Sequence, residues 1–527
     1  MLFDAIAAPL ALLAVALPFL FAVTDAPMSN FWPLVASWAC VAVLLLLGAV
    51  SAHPAPGRPR RDARWWALVL AGGLGGAAVL ASGIGLVQYG VGDVGLGPWV
   101  HASVPGQAVG NLRQRNQQGT LLSLGAWAWL WWTLHARPLH GQDLGRAGGP
   151  TRGLPRAWSV AAAVALAWVA VGAAATASRT VALQWALLLG LVALWPGAGK
   201  SAALRWAAVG LALFLLAAWV LPEALWRWQG VRADALFHRF ADGSRACTSR
   251  RVLWSNMLTL IAQKPWLGWG WGELDYAHYV TLFPGERFCV LLDNAHNLPL
   301  HLAVELGLPT ALVLCGGALA LCVWARPWRE TQPARQLAWG ALAFIGLHSL
   351  LEYPLWYGPF QLVALFCGAI LAWPRQGAVR VRGRTPAAAL VGAALVVAGA
   401  CAVAAWDYHR VSQIFKPAAQ RAAAYRENTQ AKVSRSLLFS STLDFARLTT
   451  TGLTRENAAE LNALARQLLH YSPEPRVIEL LIESAVMLGR DDEAAFHLQR
   501  YRIAYPDDYR RWKAAGGGPP APGASGP

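Results

Sequence analysis

Residues 291–324, LLDNAHNLPLHLAVELGLPTALVLCGGALALCVW, set a polar cluster directly against a long aliphatic run. Asp293, Asn294, His296 and Asn297 stand at the head of that run, and the 308–324 stretch carries no charge. Such a run enters a membrane, so the question is why polar residues are tolerated beside it. Composition extends the reading to the whole chain. Of 527 residues, 56% are hydrophobic, only 14% are charged and 28 are tryptophan, which is outside the range of ordinary soluble domains. The tryptophans suit membrane-water interfaces. A net charge of +16 would fit a nucleic-acid binder, but the basic residues fall in short clusters between apolar runs and form no single face. They report topology instead.

Apolar runs that approach the ~20 residues of a spanning helix lie near 5–23, 31–50, 65–88, 119–134, 158–176, 181–196, 204–221, 308–324, 336–351, 358–373 and 386–406. The sequence therefore predicts an all-α, polytopic transmembrane protein of about eleven spans. The connections after the second, fourth, sixth, eighth and tenth runs are rich in Arg or Lys, HPAPGRPRRDAR and ARPWRETQPAR among them. Basic residues near span ends stay in the cytoplasm, which puts the N-terminus inside and segments 89–118, 222–307 and 352–359 outside. An odd number of spans leaves the C-terminal segment outside as well. The first run has no basic residue ahead of it and reads as a membrane helix in preference to a cleaved signal peptide.

Beyond Trp406 the composition changes. Residues 455–506 have helical periodicity, with Thr454 as an N-cap, Pro473 and Pro475 breaking one helix and Gly489 ending the next. This pattern predicts a pair of tetratricopeptide-like hairpins, serving either to bind a partner or as a cap on the outer face. The tail GGGPPAPGASGP has the composition of a disordered segment. The expected division is a transmembrane domain at 1–406, containing a large outside loop at 222–307, a helical domain at 407–515 and a tail at 516–527. The seven cysteines show no metal-ligand spacing. Five lie in apolar runs as small hydrophobes; Cys247 and Cys289 lie clear of them, and an oxidising compartment would let these two pair.

His296 stands where a helix begins, with Asn297 able to cap it and Pro299 tolerated in its first turn. The positive end of that helix disfavours imidazole protonation and attracts anions, which suits a general base beside a phosphate. Arg179 lies at the outer end of a span, and Arg250 and Arg251 open an amphipathic segment. Arginine forks can hold a pyrophosphate without a metal. The amides of Asn111, Gln114, Asn116 and Gln117 would be costly in lipid, and at the outer mouth they can bind a sugar, a diphosphate or water. Glu352 accompanies Tyr353, Trp356 and Tyr357 at the interface. Taken singly, each fits a plainer role: a hydrogen-bonded interfacial histidine, snorkelling arginines, an aromatic belt. Their gathering on one side favours a site for a lipid-linked pyrophosphate. A secondary transporter would carry ionisable groups at mid-membrane, where few are found, and a non-catalytic envelope scaffold leaves the His/Arg grouping without a purpose.

The strings VGNLRQRNQQGT (109–120), TASRTVALQW (176–185), SRRVLWSNML (249–258) followed by KPWLGWGWG (264–272), DNAHNLPLHLAVELG (293–307) and LLEYPLWY (350–357) together resemble the bacterial O-oligosaccharyltransferases of the PglL or pilin-glycosylating kind. These lie within the wider O-antigen ligase (WaaL) and Wzy polymerase superfamily. The resemblance implies a GT-C-like inner-membrane glycosyltransferase with its active site facing the periplasm. It would move a glycan from undecaprenyl pyrophosphate to a serine or threonine hydroxyl of a periplasmic protein such as a pilin, with inversion and with neither metal nor cofactor. It assigns catalysis to His296, Arg250 and Arg179, and substrate contacts to Gln114, Asn116, Arg251, Asn297, Glu352 and Tyr353. Within the superfamily, a ligase delivering glycan to lipid A core or a Wzy-type polymerase would use nearly the same residues.

Overall fold

The structure, a computed structural model, describes residues 2–52, 61–135, 156–197, 199–237, 246–374 and 385–517. The end of the Gly/Pro tail, 518–527, and most of the basic connections around 53–60, 136–155 and 375–384 lie outside them. Among the described residues all regular structure is helical. Each of the eleven apolar stretches forms a helix: α1 (Leu2–Leu20), α2 (Phe31–Ala52), α3 (Ala63–Val91), α4 (Arg115–His135), α5 (Arg156–Ala175), α6 (Arg179–Leu194), α7 (Lys200–Gln229), α10 (Leu298–Ala325), α11 (Pro333–Ser349), α12 (Gly358–Ala372) and α13 (Thr385–Ser412). Between α7 and α10 come α8 (Arg250–Gln263) and α9 (Leu274–Val280). Among the described residues five helices, at Phe31–Ala52, Ala63–Val91, Lys200–Gln229, Leu298–Arg329 and Ala387–Phe415, are long and apolar enough to cross a membrane.

The chain divides into two compact units, one comprising residues 1–242 with 322–403 and the other 243–321 with 404–527. In the first, α4 is central and packs against α3, α5, α6, α7 and α11. Its small residues Gly119, Ser123, Gly125, Ala126 and Ala128 are all buried and let neighbouring helices approach closely. Some of the tryptophans pack among the helices. Trp127, Trp185 and Trp195 are fully buried in the core of this unit. The indole N–H of Trp127 is donated to the Leu337 carbonyl at 3.1 Å and that of Trp195 to Pro327 at 2.7 Å, which removes the cost of burying a polar atom. Gly340 makes room for the Trp127 ring, since a Cβ there would lie 2.4 Å from it.

In the second unit, α14 (Ser440–Thr450), α15 (Ala458–Leu468), α16 (Pro475–Met487), α17 (Asp491–Ala504) and α18 (Pro506–Ala514) close on a core that includes Leu461, Leu468, Ile478, Leu481 and Tyr501. Pro475 takes the first turn of α16, where no intrahelical donor is lost, and Gly489 follows its end with φ 68°. Thr454 and Asn457 cap one another across a single turn, so α15 begins only at Ala458, later than the Thr454 cap predicted. Tyr279 of α9 belongs to the same core; its hydroxyl meets His497 Nδ1 at 3.1 Å, while Arg500 donates to the Val280 carbonyl at 2.7 Å. The hairpins and α9 therefore pack on one core.

Candidate active site

The sequence-nominated residues gather into two constellations, one in each unit. In the first unit three separate strings meet at Asn116. Its amide donates to Glu352 Oε1 at 2.9 Å, and its carbonyl oxygen accepts from Ser178 Oγ at 2.6 Å. Ser178, which the sequence reading passed over, also caps α6 by accepting from Val181 N. A serine immediately ahead of Arg179 and an apolar run was the available signal. Glu352 is buried and Arg179, the first residue of α6, is exposed. Gln114 caps α4, its Oε1 accepting from Gln117 N at 2.7 Å. Tyr353 follows Glu352 with its ring 6.1 Å from that of Tyr357. Asn111, by contrast, is a structural amide, donating to the carbonyls of Leu20 and Trp99. The arginines flanking Gln114 are likewise engaged: Arg113 with Ser29 O at 2.5 Å and Arg115 with Asp234 at 2.7 Å.

In the second unit Arg250, the first residue of α8, donates through Nη2 to His296 Nδ1 at 2.8 Å. A guanidinium offers only donors, so Nδ1 is the unprotonated nitrogen of that ring. Asn294 Oδ1 accepts from His296 N at 2.8 Å, and Asn297 Oδ1 caps α10 by accepting from Leu300 N at 3.0 Å. Between these two turns His296 is held at φ 49°. A non-glycine residue in that region costs about 1–3 kcal/mol and persists only where its surroundings over-determine it. Arg113 (φ 62°) and Ala177 (φ 48°) share the conformation, next to Gln114 and just before Arg179. Arg251 is exposed.

The two segments that carry Arg250 and His296 are pinned together. Cys247 and Cys289, just ahead of each, form a disulfide with Cα atoms 5.3 Å apart. Asn256 of α8, buried, donates to Glu286 O at 2.9 Å and accepts from Phe288 N at 2.8 Å. Exchanging both cysteines for serine should destabilise this unit by about 3 kcal/mol, the usual cost of opening such a loop. The check is the thermal midpoint of the detergent-solubilised variant against wild type, both without reductant; coincident midpoints would discount the clamp.

Several titratable groups in this unit are shifted by burial. His278 accepts at Nδ1 from Arg287 at 3.0 Å, and burial, with the Arg287 charge, holds its imidazole well below the usual histidine range. Burial lowers His497 to about 4. Both are neutral when folded and take up a proton on unfolding, so their contribution is lost as pH falls from about 6.5. Asp275 works the other way: burial, with the charges of Glu273 and Asp293, raises its carboxyl to about 7. The folded state then binds the extra proton, and stability falls as pH rises from about 4, the unfolded value, towards 7. Asp275→Asn should accordingly raise the thermal midpoint at pH 8 and leave it unchanged at pH 4. An equal shift at both values would assign the effect to packing.

A family model for O-antigen ligase matches residues 161–315, the stretch that holds Arg179, Arg250 and His296. A second, the C-terminal part of a virulence-factor membrane-bound polymerase, matches 336–516, from Glu352 through the helical hairpins. Residues 161–315 and 336–516 are thus similar to the O-antigen ligase and membrane-bound polymerase families, each over less than half of the chain. Gln114 and Asn116 precede both matched regions. Two curated relatives from Acinetobacter baylyi are similar to part of this chain. A general O-oligosaccharyltransferase is 33% identical over 129 residues, 23% of this chain and 22% of its own length. A ComP-specific O-oligosaccharyltransferase is 30% identical over 137 residues, 25% of this chain and 24% of its own length. The chain thus aligns with less than a quarter of either relative.

Proposed function

We propose that this protein is a glycosyltransferase that moves an oligosaccharide from undecaprenyl pyrophosphate to a serine or threonine hydroxyl of a protein, with a pilin as the model acceptor. The contact between Arg250 and His296 Nδ1 carries the reading. It pairs an anion-binding fork with an unprotonated nitrogen at a helix N-terminus, where the helix's partial positive charge also favours an anion. As the donor's diphosphate engages Arg250, the guanidinium turns from Nδ1 and frees that lone pair. His296 then takes the proton of the acceptor hydroxyl as its oxygen bonds to the anomeric carbon. The bond from that carbon to the phosphate oxygen breaks on the opposite face, so the product is inverted. Arg250 stabilises the charge growing on the departing diphosphate. In the first unit we assign donor contacts to Arg179, Gln114 and Asn116, with Glu352 orienting Asn116 and Tyr353 beside it; Arg251 and Asn297 are assigned to substrate in the second. The reaction as written draws on no metal or cofactor.

The same reading gives the chain eleven spans in the bacterial inner membrane, with the 222–307 segment and the tetratricopeptide-like hairpins at 407–515 in the periplasm. The name of the ComP-specific relative supports a specific acceptor of this kind, and both names support transfer of an oligosaccharide to oxygen. The O-antigen ligase match supports a second reading, transfer to lipid A core. Expression in a cell that makes undecaprenyl-linked glycan but lacks its own ligase, with a periplasmic pilin present, separates them. A glycan-sized increase in the pilin's intact mass supports protein transfer; an unchanged pilin beside newly glycosylated lipopolysaccharide makes the chain a ligase.

A further inference from the structure

The KPWLGWGWG string, between α8 and α9, is absorbed by neither constellation. Its loop is fastened to a break in α10. Gly307 leaves the helical conformation, with φ 81° and ψ 164°, and Pro309 follows, so the carbonyls just before the break lose their intrahelical donors. The loop supplies them: Trp269 N donates to Val304 O at 2.8 Å and Gly270 N to Glu305 O at 2.9 Å. In return Leu308 N donates to Pro265 O at 2.8 Å. Gly272 N and Leu274 N bond the Glu305 carboxylate. The approach is close enough that a Cβ on Gly307 would lie 2.2 Å from Trp266 O, and one on Gly268 2.4 Å from Glu305 O.

Exposure of α10 changes at the same point. His301, Val304 and Glu305 are buried, whereas Leu312, Val313, Leu319 and Leu321 are 59–71% exposed on a helix apolar enough to cross a membrane. The largely exposed apolar part of α10 therefore begins just beyond the break, and the loop lies beside that point. Its own side chains continue the apolar face: Trp266 is 76% exposed, Leu267 86% and Trp271 65%. Lys264 lies over the Trp269 ring at 4.1 Å, a cation above an aromatic belt. Large apolar side chains exposed to this degree on one loop mark an interaction surface.

We infer that the Lys264–Gly272 loop is a membrane wedge, with Trp266 and Leu267 immersed in the acyl chains of the leaflet that meets α10 at Gly307. By capping the helix break, the loop lets α10 be interrupted at membrane depth without bare backbone groups. Anchored there, it fixes the height of α10, and with it of His296, relative to the bilayer.

Photolabelling tests this on the full-length protein in phosphatidylethanolamine/phosphatidylglycerol nanodiscs doped with a phospholipid bearing an acyl-chain diazirine. After irradiation, adducts are mapped by peptide mass spectrometry. Residues 312–321 serve as the lipid-facing control, and Met487 and Ile503, exposed on the C-terminal hairpins, as the water-facing one. The wedge requires adducts on Trp266 and Leu267 about tenfold above the water-facing control, since a carbene confined to hydrocarbon does not reach solvated side chains. Labelling of 312–321 with only background at 266–267 overturns it, and would leave the bare face to a polypeptide partner.

Discussion

Exchange of His296 for Ala is expected to slow glycan transfer by about 10²–10⁴-fold, the range a positioned general base supplies. Donor binding should persist, because Arg250, the residue assigned to the diphosphate, remains. The measurement is single-turnover transfer by the purified enzyme with lipid-linked donor and pilin, alongside donor affinity in the absence of acceptor. Arg250→Ala should show the converse signature, with donor affinity lost as well as rate, since it removes the anion ligand together with the partner of Nδ1. A His296 variant with full turnover would eliminate the proposed base. One that lost donor affinity in proportion to rate would make the imidazole a binding group instead.

Helix positions were legible in the sequence because burial in lipid leaves long apolar runs, and Pro475 and Gly489 mark helix ends by backbone chemistry that acts locally. Thr454 was placed less well: its cap closes one turn with Asn457 before α15 begins, and no short-range pattern distinguishes that turn from the helix. Composition also does not single out which indoles are packed among helices, such as Trp127, whose N–H finds a carbonyl on α11. At the candidate site, Arg250 and His296 were nameable singly, but their 2.8 Å contact joins residues far apart in the chain. The same is true of Asn116, whose partners Ser178 and Glu352 come from two other helix ends. The E-x-G at 305–307 and the glycines of KPWLGWGWG have a structural meaning: Glu305 receives backbone N–H groups from the start of α9, and Gly307 and Gly268 admit the loop to the helix break.

That last arrangement makes Gly307 the position where a single methyl-bearing side chain should do the most damage to the second unit. At φ 81° and ψ 164° the backbone there is in a region essentially reserved for glycine. A β-branched residue pays for that strain and also drives Cβ into the Trp266 carbonyl, which is backbone and cannot rotate aside. Relief by withdrawing the loop would strip the Val304 and Glu305 carbonyls and the Leu308 N–H of their partners, each a further loss once buried. Together these amount to about 5 kcal/mol for Gly307→Val. The loss exceeds that for the disulfide because strain and lost hydrogen bonds act together. The expected result is a protein that inserts yet shows little folded material by size-exclusion chromatography in detergent, with a sharply lowered thermal midpoint in whatever survives. Gly307→Ala should be milder, as it brings the same Cβ with no branches. A Gly307→Val variant of wild-type stability would mean that α10 can run unbroken past Pro265 and that the loop is not held at the break.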